Sequence, residues 1–411
     1  MSVPDETSLA ALVPAAHAPH AATVLRSLGR RGVHTIAAYE RPTPAFSSRY
    51  CGETHIVPPP DTDVEGYKDA LLDLAARDDV HAVFPLREVD AYVLARHRSE
   101  FEGEVRPLWP SFETLETVYD RLDLLATARD AAVATPETRL LDESGGPELS
   151  RVVKARYPLI TGEYVESDLL TGVREARTVQ YLAPGEQPDR EALRSEMGHV
   201  PIVQEHVLGE EYAFWALYRD GDPVATCQKH QVRAESYAGG TSVYRETVRI
   251  PDLEAAGRAL LDRLDWHGFA SVQFKRDART GEFTLLEVNP RVWVSVACPV
   301  KAGVDFPYYY WQLANGGSAP SRTDYETGVG THRIAGELMN LTSVVADTDT
   351  TVVDPPPVTT AVRDVLESVY RQPHFDYLAA DDPWPFLSDL AGGLERQVDD
   401  AVGSLRERLA R

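Results

Sequence analysis

The chain has 411 residues, 43% of them hydrophobic, with 41 Lys+Arg against 64 Asp+Glu and a formal net charge of -23. That length exceeds one ordinary core and predicts two or three folded domains, and so acidic a surface argues against nucleic acid and anionic membrane as partners. The only lysines are Lys68, Lys154, Lys229, Lys275 and Lys301, so arginine carries nearly all the positive charge.

From Leu9 to about Pro110, short apolar runs alternate with helical patterns: LAALV, a helix over 18–31, HTIAAYE, a helix over 64–77, HAVFPL, and a helix over 88–101. The rhythm is βαβα and predicts a parallel sheet with helices on both faces. The loop after the first strand lacks GxGxxG, and Glu40 is the only hint of a ribose-binding acid, so dinucleotide binding is not expected. A helix over 111–130 opens at Ser111 as its N-cap, and Pro136 forces the residue before it to be extended. A boundary is placed near Pro110.

RVVKARYPLI reads as one β segment, followed by a β-rich stretch to about Tyr181. PIVQEHVLGEEYAFWALYRDGDPVATCQKHQVR then offers alternating strands around an Asp220-Gly221 turn. FASVQFKRDARTGEFTLLEVNPRVW is a pair of strand-like runs joined at Arg279-Thr280-Gly281, and the aromatic cluster from Tyr308 to Trp311 reads as core. Beyond Ser318 come a proline-rich DPPPV link and helical stretches over 362–371 and 394–409, without a functional signal. The expected fold class is α/β plus α+β, divided into 1–110, 111–203, 204–320 and 321–411.

Cys51, Cys227 and Cys298 stand singly, which speaks against a disulfide framework or a structural zinc. The start carries Asp5 and Glu6 rather than a basic segment, and no apolar run reaches about 18 residues, so a cytoplasmic protein is expected. The acid excess suits concentrated salt, where the Debye length falls to about 3 Å at 1 M. A halophilic source is the expectation, and full stability without added KCl would refute it.

The chemistry concentrates in the second hairpin. A turn centred near Thr280 puts Gln273 opposite Glu287, with Asn289 two residues along on the same face. Hard oxygen donors of this kind suit magnesium held together with substrate phosphates, and Arg291 would follow as a phosphate fork. The plain alternative is a polar exposed hairpin face ended by an Asn-Pro turn. Lys154 stands among Val152, Val153, Leu159 and Ile160, where an ammonium must find an anion or snorkel. Gln204-Glu205 ends an apolar strand before a connector through Val207 whose backbone could bond an adenine edge, and Glu211 could take ribose hydroxyls. The loop from Tyr237 to Ser242, with Gly239 and Gly240, offers backbone N–H groups to an anion or is a plain turn.

In order and spacing, Lys154, Gln204-Glu205, Glu211, Gln273 and the run Glu287-Val288-Asn289-Pro290-Arg291 resemble the ATP-grasp superfamily. The likeness is greatest to its carboxylate–amine ligases, with the large subunit of carbamoyl-phosphate synthase also similar. It covers about Leu9 to Gly317 and implies a Rossmann-like pre-ATP-grasp domain followed by a two-lobed ATP-grasp domain. Lys154 would contact the ATP phosphates, Glu205 and the Val207 backbone would read adenine, and Glu211 would hold ribose. Gln273, Glu287 and Asn289 would bind Mg2+ or Mn2+, and Arg291 would steady the transferred phosphoryl group. The implied partners are a small-molecule carboxylate and an amine, with a homodimer left open.

Three departures stand out. Arg121 occupies the place of the family's first lysine, after Tyr119-Asp120. Gln273 replaces the usual acid, though the carbamoyl-phosphate synthase pattern tolerates it. A glycine-rich phosphate loop is lacking, leaving only Thr161-Gly162 and Thr171-Gly172. Two rival readings follow. Activation of a small acid would call for a duplicated half or a glutaminase partner, and a non-catalytic nucleotide-binding regulator would account for Gln273 and Arg121.

Overall fold

Parallel strands buried on both faces need near-continuous apolar runs, and the start of the chain supplies them. Strands β1 (Ala10–Pro14), β2 (His34–Tyr39), β3 (Glu53–Ile56) and β4 (Val80–Val83) form a parallel sheet in the order β3-β2-β1-β4, with every residue of β1 buried. The computed structural model describes residues 9–14, 19–143, 150–165, 172–176, 178–318, 324–346 and 354–391. Helices α1 (Pro19–Gly29), α2 (Val64–Ala75), α3 (Glu88–Arg96) and the short α4 (Arg98–Phe101) accompany the sheet. Glu40 is tied to Arg87 rather than placed for a ribose.

The helix expected over 111–130 is two helices, α5 (Phe112–Tyr119) and α6 (Arg121–Asp130). Ser111 caps the first through Thr114 N at 3.1 Å. Asp120 adopts an extended conformation and caps the second through Leu122 N at 3.0 Å. Its carboxylate also grips Arg156 in a bidentate pair, and these bonds favour the break over a continuous helix.

Next come β5 (Thr138–Leu140), β6 (Arg151–Lys154), β7 (Leu159–Ile160), β8 (Arg174–Glu175), β9 (Val179–Leu182), α7 (Arg190–Met197) and β10 (Ile202–Glu205). Four of these strands make a small antiparallel sheet, β5-β10-β6-β9, while among the described residues β7 pairs only with β8. RVVKARYPLI is therefore not one strand. Pro158 has no N–H for a ladder, and the chain changes sheets around it.

A six-stranded antiparallel sheet follows, in the order β15-β14-β11-β12-β13-β16. Its strands are β11 (Gly209–Arg219), β12 (Asp222–Ser236), β13 (Gly239–Val248), β14 (Gly268–Asp277), β15 (Phe283–Asn289) and β16 (Gly330–His332), with α8 (Pro251–Arg263) between β13 and β14. Asp220 and Gly221 have φ of 54° and 79°. This is the left-handed pair that a two-residue hairpin turn needs. At Gly268, with φ of 90°, a Cβ would lie 2.3 Å from Leu108 O, so only glycine lets the sheet approach the N-terminal region there.

One face of this sheet packs Tyr212, Phe214, Ala216 and Tyr218 with Leu253, Leu260 and Leu261 of α8. The other packs Trp215, Leu217 and Phe269 with Trp293, Tyr310 and, from the first sheet, Ala11 and Val13. Trp215 and Trp293 stack at 5.2 Å, and Phe84 meets Tyr310 at 4.6 Å. The cluster from Tyr308 to Trp311 is thus core, carried on α10 (Phe306–Ala314), which follows α9 (Ala297–Lys301).

The last elements are α11 (Ile334–Ala346) and α12 (Val358–Arg371). The helical stretch read over 394–409 lies outside the described residues. The tail, which carries no functional signal in the sequence, is tied into the fold by buried charges. Asp376 pairs with Arg245 of β13, both side chains fully buried, and Asp382 pairs with Arg26 of α1 at 2.8 Å. Among the described residues no helix is long and apolar enough to cross a membrane.

Candidate functional site

Antiparallel pairing aligns the polar residues into rows, because partners directly opposite share a face. Glu287 lies opposite Gln273, as expected, then come Ala213, Lys229 and Thr247 across the sheet. The next row is Lys275, Glu211, Gln231, Arg245 and Thr331. Asn289 opens a third row with Ser271 before the same face turns apolar at Trp215.

At the β15 end the rows open onto a pocket of about 160 Å³ lined by Glu88, Arg121, Glu175, Glu287, Asn289 and Arg291, with Val118, Leu124 and Val288 among its apolar walls. Asn289 Nδ2 donates to Glu287 Oε1 at 3.2 Å, and Arg291 Nη2 donates to Asn289 Oδ1 at 3.4 Å. Arg291 Nε donates to Glu88 Oε1 at 2.8 Å, while the Tyr119 hydroxyl donates to Glu88 Oε2 at 3.0 Å. Arg121 Nη2 lies 3.6 Å from Glu287 Oε2. Strand β15, α3 and the junction of α5 with α6 are thereby joined around one space.

Electrostatics binds Lys154 to the same group. Burial, then the Arg121 guanidinium, push its ammonium from 10.5 down to about 7, with Glu287 opposing and Lys275 adding to the fall. Burial alone would raise the Glu287 carboxyl, but Arg121, Lys154 and Arg291 together hold it below the usual range. Glu88 goes the other way. Its burial outweighs Arg291 and Tyr119, and its carboxyl is raised.

Further along the face, Lys229 donates to Gln231 Oε1 at 3.0 Å, and Gln231 Nε2 donates to Glu211 Oε2 at 2.8 Å. Lys275 lies 3.9 Å from Glu211. Burial brings Lys229 down to about 8. Two of the five lysines therefore stand on this one surface, and Lys154 acts on it from the small sheet. Gln231 Nε2 also donates to Gly240 O at 3.2 Å, tying the glycine loop to Glu211, and a Cβ on Gly239 would lie 3.9 Å from the Tyr181 hydroxyl of β9.

The connector from β10 to β11 joins the two antiparallel sheets. Glu205 N donates to Glu137 O at 2.8 Å, and Val207 is buried. Gln204 is also buried, with Nε2 donating to Thr138 Oγ1 at 2.9 Å, so its amide belongs to the small sheet rather than to the cleft. Arg121, Lys154, Glu287, Asn289 and Arg291 are thus brought together, Gln273 and Glu211 lie on the same sheet face, and the Gln204 side chain stands apart. Gly162 leads into Glu163, which accepts from the Tyr92 hydroxyl and pairs with Arg96. Thr171 lies outside the described residues. Sequence reasoning missed Glu88, Glu175, Lys229, Gln231 and Lys275. The scarcity of lysine is the one signal that could have found Lys229 and Lys275.

Residues 199–336 match the family model described as ATP-grasp in the biosynthetic pathway with Ter operon. The biotin carboxylase domain of 2-oxoglutarate carboxylase from Hydrogenobacter thermophilus superposes with a TM-score of 0.60 at 15% identity, over 78% of this chain and 73% of that one. The chain has the ATP-grasp fold. L-amino acid ligase from Bacillus licheniformis shares it with a TM-score of 0.54 at 16% identity, over 74% and 73% of the two chains. Rhizobium etli pyruvate carboxylase does so with a TM-score of 0.58 at 15% identity over 78% of this chain, which spans only 30% of that protein. No curated protein sequence matches. These structural likenesses cover 74–78% of the chain, well beyond residues 199–336 that match the family model.

The oxygen donors suit a hard divalent cation. Glu287 is the one carboxylate among the three expected ligands, beside two neutral amides, so phosphate oxygens are needed to complete the shell. Among the described residues there is no cluster of three or more His, Cys, Asp or Glu that would hold a metal unaided.

Proposed function

We propose that this ATP-grasp chain is an ATP-dependent ligase that phosphorylates a carboxylate and passes the activated acyl group to an amine. The observation that carries the reading is the convergence of Arg121, Glu287, Asn289 and Arg291 on one pocket, with Lys154 near enough to feel the charges of Arg121 and Glu287. A carboxylate oxygen attacks the γ-phosphorus of ATP, and ADP leaves with the bonding pair. The amine nitrogen then attacks the acyl carbon, phosphate departs, and the amine gives up a proton.

Phosphoryl transfer of this kind asks for positioning and charge neutralisation more than covalent help. Lys154 and Arg121 meet the phosphates, and Arg291, steadied by Glu88, faces the transferred group. Glu205, the Val207 backbone and Glu211 take adenine and ribose, with Gln231 orienting Glu211. Glu287, Asn289 and the neutral oxygen of Gln273 would hold Mg2+ or Mn2+, which supplies charge neutralisation at the phosphates when bound. The apolar walls Val118, Leu124 and Val288 limit water around the acyl phosphate. Support comes from the neighbours: the Hydrogenobacter domain is described with MgADP and bicarbonate, and the Bacillus protein is an amino acid ligase.

A second reading, activation of a small acid such as bicarbonate, is supported by the Hydrogenobacter domain, which is described with bicarbonate as well as MgADP. Measuring ADP release with carboxylates alone, with carboxylates plus amines, and with bicarbonate separates the two, and mass spectrometry for condensation products identifies the acceptor. ATP consumption that no acid stimulates would refute both.

Lys154 gives a pH signature. With its ammonium at about 7 in the free protein, nucleotide phosphates favour the charged form. ATP binding at pH 8 is expected to take up protons, seen by calorimetry in buffers of different ionisation enthalpy, and Lys154→Met is expected to lose that uptake. The sign for stability follows from the same shift. The unfolded chain binds more protons between about pH 7 and 10.5, so the cost of burying Lys154 falls and stability rises as pH rises through that window.

A further inference from the structure

We propose that Arg121 is an internal counter-cation: it occupies Glu287 until nucleotide phosphates draw it away, so that the metal ion binds well only together with the nucleotide. The proposal rests on the ligase reading only in taking Glu287 as a metal ligand.

The base of Arg121 is fixed. It is the first residue of α6, directly after the break at Asp120. Its backbone N donates to Arg156 O at 3.1 Å, and its Nη1 donates to Ala155 O at 2.7 Å. The Asp120 carboxylate holds Arg156 in turn. From this platform beside the small sheet, the fork reaches across to β15 of the large one.

The tip is held less well. Nη2 lies 3.6 Å from Glu287 Oε2, against about 2.7–2.9 Å for a well-made charge-assisted bond. Among the described residues the buried Arg121 Nε has no hydrogen-bond partner, and a buried orphan donor is destabilising. The fork is therefore one acceptor short, and a phosphate oxygen could fill that place together with the outer edge. The Arg121 side chain is 13% exposed and that of Glu287 is 37% exposed, so the carboxylate remains reachable from the cleft while the arginine covers its inner side.

Two cations cannot share Glu287 cheaply. A magnesium ion takes oxygen ligands at about 2.0–2.1 Å and would sit against a guanidinium already within ion-pair range, with Lys154 adding to the repulsion. Arg121 also leads the cations that favour the ionised form of Glu287. Phosphates resolve the conflict by taking the fork. Coupling of this kind is reciprocal, so metal must also tighten nucleotide binding.

The test uses the full chain and Mn2+, with free Mn2+ followed by electron paramagnetic resonance, alone and with a non-hydrolysable ATP analogue. Wild type is expected to bind Mn2+ at least about tenfold more tightly with the analogue, within the 5–150-fold span usual for coupled sites. Arg121→Gln is expected to bind Mn2+ alone about tenfold more tightly than wild type and to lose most of the nucleotide enhancement. Arg121→Lys, whose single ammonium cannot hold Ala155 and Glu287 together, is expected to shift the same way and serves if the glutamine variant does not fold. Folded variants that bind Mn2+ alone no better than wild type overturn the proposal. Glu287→Gln separates the two failures. If it abolishes Mn2+ binding while the Arg121 variants leave it unchanged, the counter-cation is wrong and the metal site stands; if it binds Mn2+ as wild type does, the metal site itself is wrong.

Discussion

Glu287→Ala is expected to lower carboxylate-dependent ADP release by a factor of roughly 10² to 10³, the scale seen when one preorganised electrostatic contact is removed. Glu287 is the one carboxylate of the three expected metal ligands, facing the neutral amide of Gln273 and bonded to that of Asn289. Its loss also leaves Arg121 and Lys154 without the acid that balances them. Glu287→Gln is the sharper variant, because it preserves size and changes only the charge. Steady-state release of ADP measures both, and turnover within about tenfold of wild type would remove Glu287 from the chemistry.

Asp382→Ala is expected to lower folding stability by about 3–5 kcal/mol, the cost of breaking a buried ion pair from one side. The Asp382 carboxylate accepts from Arg26 Nε at 2.8 Å, Ser48 Oγ at 2.7 Å and Arg49 N at 2.9 Å. Arg26 Nη2 further donates to the carbonyls of Tyr377 and Asp382 at 2.9 and 2.8 Å. Removing the acid therefore strands a buried guanidinium in the first sheet's helix layer. Urea unfolding monitored by tryptophan fluorescence checks this, and an unchanged midpoint would mean that the tail does not hold the N-terminal region.

The parallel sheet was legible because β1, β2 and β4 are apolar. Strand β3, with the sequence ETHI and two exposed residues, lies at the edge and carries no such pattern. The pairing of Gln273 with Glu287 was reached by counting from the turn, yet the ladder holds a bulge between Gln273 and Phe274. The nearer pairs, such as Arg276 with Phe283, run one residue out of step with that count. The assumed turn centre and the bulge compensate. On β11 and β12 the same device hides a residue. Counting from Asp220-Gly221 sets Lys229 opposite Tyr212, on the apolar face, but a bulge at Leu217/Tyr218 sets it opposite Ala213 among the polar rows. A bulge adds one residue without a sequence mark of its own. Glu88 was hidden for another reason, since its role depends on α3 meeting Arg291 just beyond β15, a contact spanning 203 positions.

The Arg26–Asp382 pair also has a consequence in time. Its members are 356 positions apart in the chain, and synthesis proceeds at about 5–20 residues per second. During biosynthesis the first sheet must wait tens of seconds, by that rate, with an arginine facing inward and no acid to receive it. The N-terminal region of a nascent chain is thus unfinished until nearly the last described residues have left the ribosome, and a chain stalled before residue 382 would present that sheet to chaperones with its closing contact missing.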